Sequence, residues 1–168
     1  MKTLGLCIAA GLGLIACASG GTMGNTNANN IVTEYPVETA MLNIYTKQRS
    51  ENLVATIGNQ TASADIQVTP KGNMVFNNND AATTEIYTIN KVNNQITDQS
   101  VAINYFTLNP LVFHGFTDST GKYSVSNQTT TIPKMATVGD SHKLITENVY
   151  SDSSMRKKIG TYNQNWSL

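Results

Sequence analysis

The side chains with the richest chemistry in this 168-residue chain are two cysteines, Cys7 and Cys17, and two histidines, His114 and His142. A structural zinc site needs four ligands, and neither histidine has an acidic or second histidine neighbour at a regular metal-binding spacing. We therefore expect no metal site and no cofactor. Each histidine is predicted to lie in a loop and to make ordinary hydrogen bonds.

The N-terminus carries a short export motif. Lys2 supplies a positive start, residues 4–15 supply an apolar run, and Leu14-Ile15-Ala16-Cys17 resembles the lipobox of bacterial lipoproteins. The resemblance implies signal cleavage between Ala16 and Cys17 and attachment of lipid to the Cys17 thiol. The apolar run is much shorter than the roughly 20 residues that span a bilayer, so a permanent transmembrane helix is not expected.

The lipobox resemblance also implies a cellular location. Three acyl chains on Cys17 would make a permanent membrane anchor, because one chain alone binds only marginally. Gram-negative lipoproteins that stay at the inner membrane commonly have aspartate after the cysteine, so Ala18 favours the outer membrane. The alternative is an ordinary signal peptide cut after Ala18, which would release a soluble protein.

Three segments follow from this interpretation: a signal peptide over residues 1–16, a lipidated cysteine and flexible tether over residues 17–30, and a single β domain over residues 31–168. The tether is rich in glycine and asparagine and has no apolar period. A domain of this length can bury a core without a disulfide or a metal.

Composition favours β structure and excludes nucleic acid as a partner. The chain contains 20 asparagines and 22 threonines, and these residues favour turns and strands respectively. Only 13% of residues are charged and the formal net charge is zero, so the chain has no excess of positive charge to attract a nucleic acid.

The apolar pattern predicts an all-β domain, an antiparallel β-barrel or β-sandwich of about nine or ten short strands, with no helix longer than two turns. Turns are predicted at residues 70–73, 77–80, 93–94 and 118–121 from their proline, glycine and asparagine content. The predicted strands are residues 37–46, 52–57, 62–69, 74–76, 84–92, 96–108, 111–116, 123–131, 143–150 and 158–168.

The aromatic residues Tyr105, Phe106, Phe113 and Phe116 are predicted to pack a core rather than to line a ligand pocket. On the last strand, Tyr162, Trp166 and Leu168 should share one face.

Residues 131–168 resemble the opening half of a β-hairpin region in uncharacterised bacterial envelope lipoproteins whose chains continue further. The chain stops on an apolar strand, where an edge needs a partner or a covering. One hypothesis is therefore that the domain is C-terminally truncated.

The block Gly139-Asp140-Ser141-His142 resembles the nucleophile block of the Gly-Asp-Ser esterases. In those enzymes the serine lies near the N-terminus of an α/β domain, and a later Asp-x-x-His supplies the acid and base. Here the block is late, its surroundings are β, and no Asp-x-x-His follows it. A serine without a positioned base is a weak nucleophile, so we predict a turn that enters a strand.

Two polar clusters have two interpretations each. The oxygen-rich run at residues 77–80 has ligands that suit calcium, but it lacks alternating carboxylates and is predicted to be a hairpin tip. The basic run Arg156-Lys157-Lys158 is either a contact for anionic lipid or a solvated loop.

The sequence therefore predicts a non-catalytic, membrane-anchored envelope lipoprotein with a surface-binding or scaffolding β domain, whose protein or ligand partner it does not identify. A carrier of hydrophobic ligands is the first alternative and requires an apolar cavity. A cell-wall or glycan hydrolase is the second, and it requires two facing carboxylates from candidates such as Asp65, Glu85 and Glu147.

Overall fold

A computed structural model describes residues 33–128 and 130–168. Strands make up 67% of the structure and helix 7%, so the predicted all-β, antiparallel class is confirmed. One helix and ten strands are present in the described residues: β1 Glu34–Tyr35, α1 Val37–Thr46, β2 Arg49–Ile57, β3 Gln60–Phe76, β4 Asn79–Val92, β5 Gln95–Leu108, β6 Leu111–Asp118, β7 Tyr123–Asn127, β8 Ala136–Thr137, β9 Ser141–Tyr150 and β10 Lys158–Ser167.

Eight strands form one antiparallel sheet in the order β10-β9-β7-β6-β5-β4-β3-β2. Apart from the excursion through β8, which pairs with β1, each strand lies beside its neighbour in sequence. Short turns suffice for such connections. The ten strands agree in number with the prediction, but two differences offset each other: β3 spans the predicted strands 62–69 and 74–76 and residues 37–46 are helical, whereas β1 and β8 were not predicted. The central strands β3, β4 and β5 are long, with 17, 14 and 14 residues.

The segment Val37–Thr46 was predicted to be a strand and is the helix α1. Its buried residues, Val37, Met41 and Tyr45, are spaced by four. A spacing of four fits one helical turn and also two strand periods, so the apolar residues alone did not distinguish the two structures. The residues between them at the strand period, Thr39 and Asn43, are polar, which a helix tolerates and a buried strand face does not.

Helix α1 lies over one face of the sheet and forms the main core with β5, β6, β9 and β10. We call this face the helix face. The Tyr45 ring lies 4.8 Å from the Phe113 ring and 5.7 Å from the Phe106 ring. The helix is fixed at its start by the Glu38 amide, which donates to the Pro133 carbonyl. None of the helices in the described residues has the length and apolar character required to cross a bilayer.

The predicted turn at residues 70–73 is instead an irregularity within β3. Pairing with β4 continues through Pro70 and Lys71, shifts register, and resumes at Met74. Strand β2 pairs with β3 only as far as Val68, so Pro70 has no neighbour on its outer side and its missing N–H breaks no ladder bond. The hydroxyl of Thr83 donates to the Gly72 carbonyl at 2.6 Å and bridges the irregularity.

A second, smaller core lies on the opposite face of the sheet. The Phe76 ring stacks on the rings of Tyr105 and Tyr123, at centroid distances of 4.3 and 5.0 Å. Beneath this stack lies Gly115, where a Cβ atom would stand 2.1 Å from the Ser124 carbonyl oxygen and 3.0 Å from the Phe76 ring. Only glycine allows the two strands and the ring to approach this closely.

The other predicted turns are confirmed. Asn77 and Asn78 join β3 to β4, and Asn93 and Asn94 join β4 to β5, each with positive φ as a tight hairpin requires. Gly121 has a φ of +89° in the loop between β6 and β7. On β10, Trp166 is buried and Tyr162 is 49% exposed, and Leu168, just after the strand, packs against the main core.

Candidate functional site

The predicted lipidation site lies outside the described residues. Ala16 and Cys17, the tether and the signal peptide all precede residue 33. Their assignment therefore rests on the sequence motif alone.

The two histidines lie in strands rather than in the predicted loops. His114 is the extra residue of a bulge in β6, between Gly115, which pairs with Tyr105, and Phe113, which pairs with Phe106. Its Nε2 atom is buried and has no hydrogen-bond partner in residues 33–128 and 130–168, so the prediction of ordinary hydrogen bonds is wrong for His114. Burial lowers the pKa of His114, because the charged imidazolium is poorly solvated there.

His142 is exposed on β9, and its ring lies 5.1 Å from the Trp166 ring. Within the described residues, no group of three or more histidine, cysteine, aspartate or glutamate side chains is arranged to hold a metal.

The Gly139–His142 block lies where β9 begins, as predicted. The Asp140 carboxylate accepts hydrogen bonds from the Thr137 amide at 2.8 Å and the Thr137 hydroxyl at 3.0 Å. These bonds lower the pKa of Asp140 and fix the turn. Ser141 and His142 are consecutive strand residues and project to opposite faces, so the imidazole is not placed to activate the hydroxyl.

A shallow groove of about 400 Å³ lies between the first residues of β9 and the last residues of β10. It is lined by Ser141, His142, Lys143, Asn165, Trp166 and Ser167.

The three candidate carboxylates do not share a cleft. The Thr84 hydroxyl donates to the Tyr45 carbonyl of α1, so Thr84 faces the helix and Glu85 points to the opposite face. Asp65 lies between the buried residues Ala64 and Ile66 and also points away from the helix. Glu147 is on β9, on the helix face.

Asp65 and Glu85 each have a lysine partner. The Lys91 ammonium lies 2.5 Å from the Asp65 carboxylate, which also accepts a bond of 2.6 Å from the Asn52 amide. These bonds, Lys91 first, lower the pKa of Asp65. The Lys71 ammonium lies 3.2 Å from Glu85. An open groove of about 450 Å³ runs beside Asn52 and Lys91, and the rest of its lining is Val54, Thr61, Ser63, Asn93 and Asn94.

Glu147 is the unusual carboxylate. Its side chain is only 4% exposed, and its oxygens accept hydrogen bonds from the Ser126 hydroxyl at 2.8 Å and the Gln164 amide at 3.5 Å. None of the ion pairs in the described residues includes it. Burial raises the pKa of Glu147, because the charged form loses solvation that two neutral donors only partly replace. The pKa of the nearby Tyr45 rises to about 12, mainly through burial and further through the Glu147 charge.

The two turn clusters make their own hydrogen bonds. The Asn77 side chain accepts a bond of 2.6 Å from the Tyr123 hydroxyl, and the Asn77 backbone carbonyl accepts one from the Asn79 side-chain amide. The Asp118 carboxylate accepts bonds from the amides of Thr120 and Lys122. Both clusters are hairpin connections, as predicted.

The predicted aromatic group separates onto two faces. Phe106 and Phe113 pack against α1, and Tyr105 joins the stack on the opposite face. Phe116 is half-buried, with its ring 6.5 Å from that of Tyr162. The expectation of core packing is confirmed for Tyr105, Phe106 and Phe113, which are at most 8% exposed.

The most distinctive surface feature is the outer edge of β2, which sequence reasoning did not single out. β2 lies at one end of the sheet and pairs in unbroken register with β3 on its inner side. Its charged residues are confined to its start, where Arg49 pairs with Glu51. Further along, Leu53 is 40% exposed and Val54 is 62% exposed. The signal available in the sequence was the uncharged run of strand-forming residues 52–57.

Searches of protein-family models, of curated proteins and of solved structures find no match to this chain.

Proposed function

We propose that this chain is a non-catalytic lipoprotein of the bacterial envelope, anchored through Cys17, whose β domain binds an extended segment of a partner protein at the edge of β2. The anchor is supported by the lipobox motif that ends at Cys17. The binding role is supported by the outer edge of β2, which pairs with no other strand of residues 33–128 and 130–168.

The edge of β2 carries the proposal because natural proteins protect such edges with lysine, proline or a bulge. β2 has nine residues with no proline and no register shift, and residues 52–57 carry no charge. At the other end of the sheet, β10 begins with Lys158 and pairs with β9 through two register shifts. A partner strand would therefore gain an uninterrupted ladder at β2.

Two further features favour binding over the alternative functions. Helix α1 fills the main core with Met41 and Tyr45, so that region is packed rather than hollow. Asp65 and Glu85 point to the same face, but Asp65 pairs in register with Ile89, four residues along β4 from Glu85. Glu147 lies on the helix face, so these three carboxylates form no facing pair for glycoside hydrolysis.

Site-specific photo-crosslinking in intact cells tests the binding role. A photoreactive residue at Val54 should give a discrete crosslinked product. The matched control is Val75, which is 70% exposed at the tip of the β3–β4 hairpin and should give none. Equal products at both positions, or a product only at position 75, would contradict binding at β2.

The anchor has its own test. Cys17→Ser should leave an unprocessed precursor without lipid, and mass spectrometry of the native N-terminus should find an acylated cysteine. An unacylated native N-terminus would contradict the anchor without bearing on the crosslinking result.

A further inference from the structure

The loop between β9 and β10 presents an exposed cluster of positive charge. Arg156, Lys157 and Lys158 are consecutive and all exposed. The ion pairs of the described residues use Arg49, Lys71, Lys91 and Lys122, and none includes these three cations.

The carboxylate of the same loop, Asp152, accepts hydrogen bonds from within the loop and stabilises its conformation. Asp152 accepts hydrogen bonds from the Ser151 hydroxyl at 2.9 Å and the Ser154 amide at 2.8 Å. The Ser151 amide donates to the Lys157 carbonyl at 3.0 Å and closes the loop. The cations are thus displayed on a fixed turn.

Apolar side chains flank the cations on both sides. Met155 is 43% exposed, and Ile159 is 46% exposed at the register shift between Lys158 and Gly160. We call Met155, Arg156, Lys157, Lys158 and Ile159 the basic tip. Cations flanked by apolar groups match the interface of an anionic bilayer, where headgroups meet acyl chains.

The basic tip lies at the opposite end of the sheet from the point where the N-terminal segment joins the domain. β1 begins at Glu34 and pairs with β8, and the Gly139 amide just after β8 bonds to the Leu168 carbonyl at the end of β10. The basic tip lies at the other end of the β9–β10 hairpin. Ten residues at about 3.3 Å each separate the two ends by about 30 Å.

We propose that the basic tip docks on an anionic lipid bilayer, and that this bilayer is a second membrane rather than the one that holds the N-terminal anchor. The second part rests on the proposed lipid anchor. Because the N-terminal segment joins the domain at one end of the sheet, the basic tip at the other end is accessible to a surface opposite the anchoring membrane. The domain then acts as a spacer that is anchored at one end and held electrostatically at the other.

The proposal is tested with the native protein, purified from membranes in detergent and reconstituted into phosphatidylcholine vesicles. Retention of the protein on these vesicles during flotation reports the anchor alone. Fluorescent vesicles containing phosphatidylglycerol are then added, and their association with the first population is measured. Docking predicts association with the anionic vesicles, none with a second phosphatidylcholine population, and a steep loss as salt rises to about 0.15 M.

The variant R156Q/K157Q/K158Q should weaken vesicle association by about 100-fold, since each cation near an anionic surface contributes about fivefold. The matched control is K47Q/K134Q/K143Q, which removes the same charge from exposed lysines elsewhere and should associate like the native protein. M155S should weaken association several-fold at every salt concentration.

Each result decides one claim. Loss of the protein from the first vesicles would overturn the anchor. Retention without association would overturn docking on a second bilayer. The assay is repeated with phosphatidylglycerol in the anchoring vesicles as well, and loss of association in that case would mean that the tip binds the anchoring membrane, which would also overturn docking on a second bilayer. Equal weakening by the two triple variants would show that net charge acts, and would overturn the assignment to the basic tip.

Discussion

The two ends of the central hairpins differ in what stabilises them: side-chain burial at one end and strand pairing at the other. At the helix end, β5 and β6 pack Phe106 and Phe113 against α1, and these rings are at most 5% exposed. At the other end, residues 53–63 and 90–99 form what we call the outer ribbon. It extends beyond β6, whose pairing with β5 stops where Asp118 meets Ala102.

The outer ribbon depends on pairing rather than burial. Residues 95–99 of β5 are all exposed, and Val54 and Ile96 are more than half exposed. Among the described side chains of the ribbon, the buried one is the small residue Ala62. The buried contacts that stabilise the domain are therefore concentrated at the helix end, whereas the ribbon consists mainly of exposed strand. Binding elements are commonly drawn from such low-stability regions.

The largest expected effect is at the helix end. Phe106→Ala removes a ring that contacts Tyr45 and Phe113, and should lower the free energy of unfolding by about 3–5 kcal/mol. Urea unfolding measures this loss. Val54→Ala in the ribbon is the matched truncation and should change stability by less than about 0.5 kcal/mol. Similar losses for the two variants would contradict the conclusion that stability is concentrated at the helix end.

The second core should be nearly as sensitive at one position. Gly115→Ala places a methyl group against the Ser124 carbonyl and the Phe76 ring, and should cost about 2–4 kcal/mol of unfolding free energy. Gly72→Ala is the control, because a Cβ there meets nothing within 4 Å, and should cost about 1 kcal/mol or less. If Gly115→Ala has the same urea unfolding midpoint as the native protein, the close contact of Gly115 with Ser124 and Phe76 would be contradicted.

The buried carboxyl of Glu147 at the helix end should make the stability of the protein depend on pH. Its raised pKa means that the folded state binds the proton more tightly than the unfolded state does. The stability contributed by this proton is complete below the unfolded pKa and is lost as pH rises through the folded value. From pH 5 to pH 8 the native protein should lose stability, and Glu147→Gln should lose less.

Thermal unfolding across this pH range is the measurement. Glu85→Gln is the control, because Glu85 is partly exposed beside Lys71, and it should leave the pH profile close to native. A Glu147→Gln profile parallel to the native one would remove Glu147 as the source of the pH dependence.

The smallest effect is a difference in local opening. Backbone amides of residues 95–99 should exchange with solvent by local fraying, whereas those of residues 144–149 should exchange only on global unfolding. Hydrogen exchange followed by mass spectrometry resolves the two regions. Equal protection in both would mean that the ribbon is as stable as the core.

The local features of the sequence predicted the hairpins well. Asn77-Asn78 and Asn93-Asn94 are turns because asparagine tolerates positive φ, and this preference acts within the dipeptide itself. Residues 62–69 lie in a strand as predicted, and Ala62, Ala64, Ile66 and Val68 alternate along it as its buried residues. Errors arose where two periods coincide, as in α1, and where proline and glycine interrupt a strand without ending it, as in β3.

The candidate sites were less predictable, because their properties depend on distant neighbours. Nothing local distinguishes Glu147 from Glu85, yet one is buried beside Ser126 and the other lies near Lys71 on the opposite face. The orphaned Nε2 of His114 likewise follows from a bulge, which appears only when β5 and β6 pair.

By itself the sequence determined the all-β class and the tight asparagine turns, because each depends on preferences within a few residues. Tertiary structure decided that residues 37–46 coil into a helix, that Gly115 lies under a ring, and that β2 is left at an edge. These outcomes depend on which strands become neighbours. Burial, pairing and exposure are properties of that arrangement and not of any one segment.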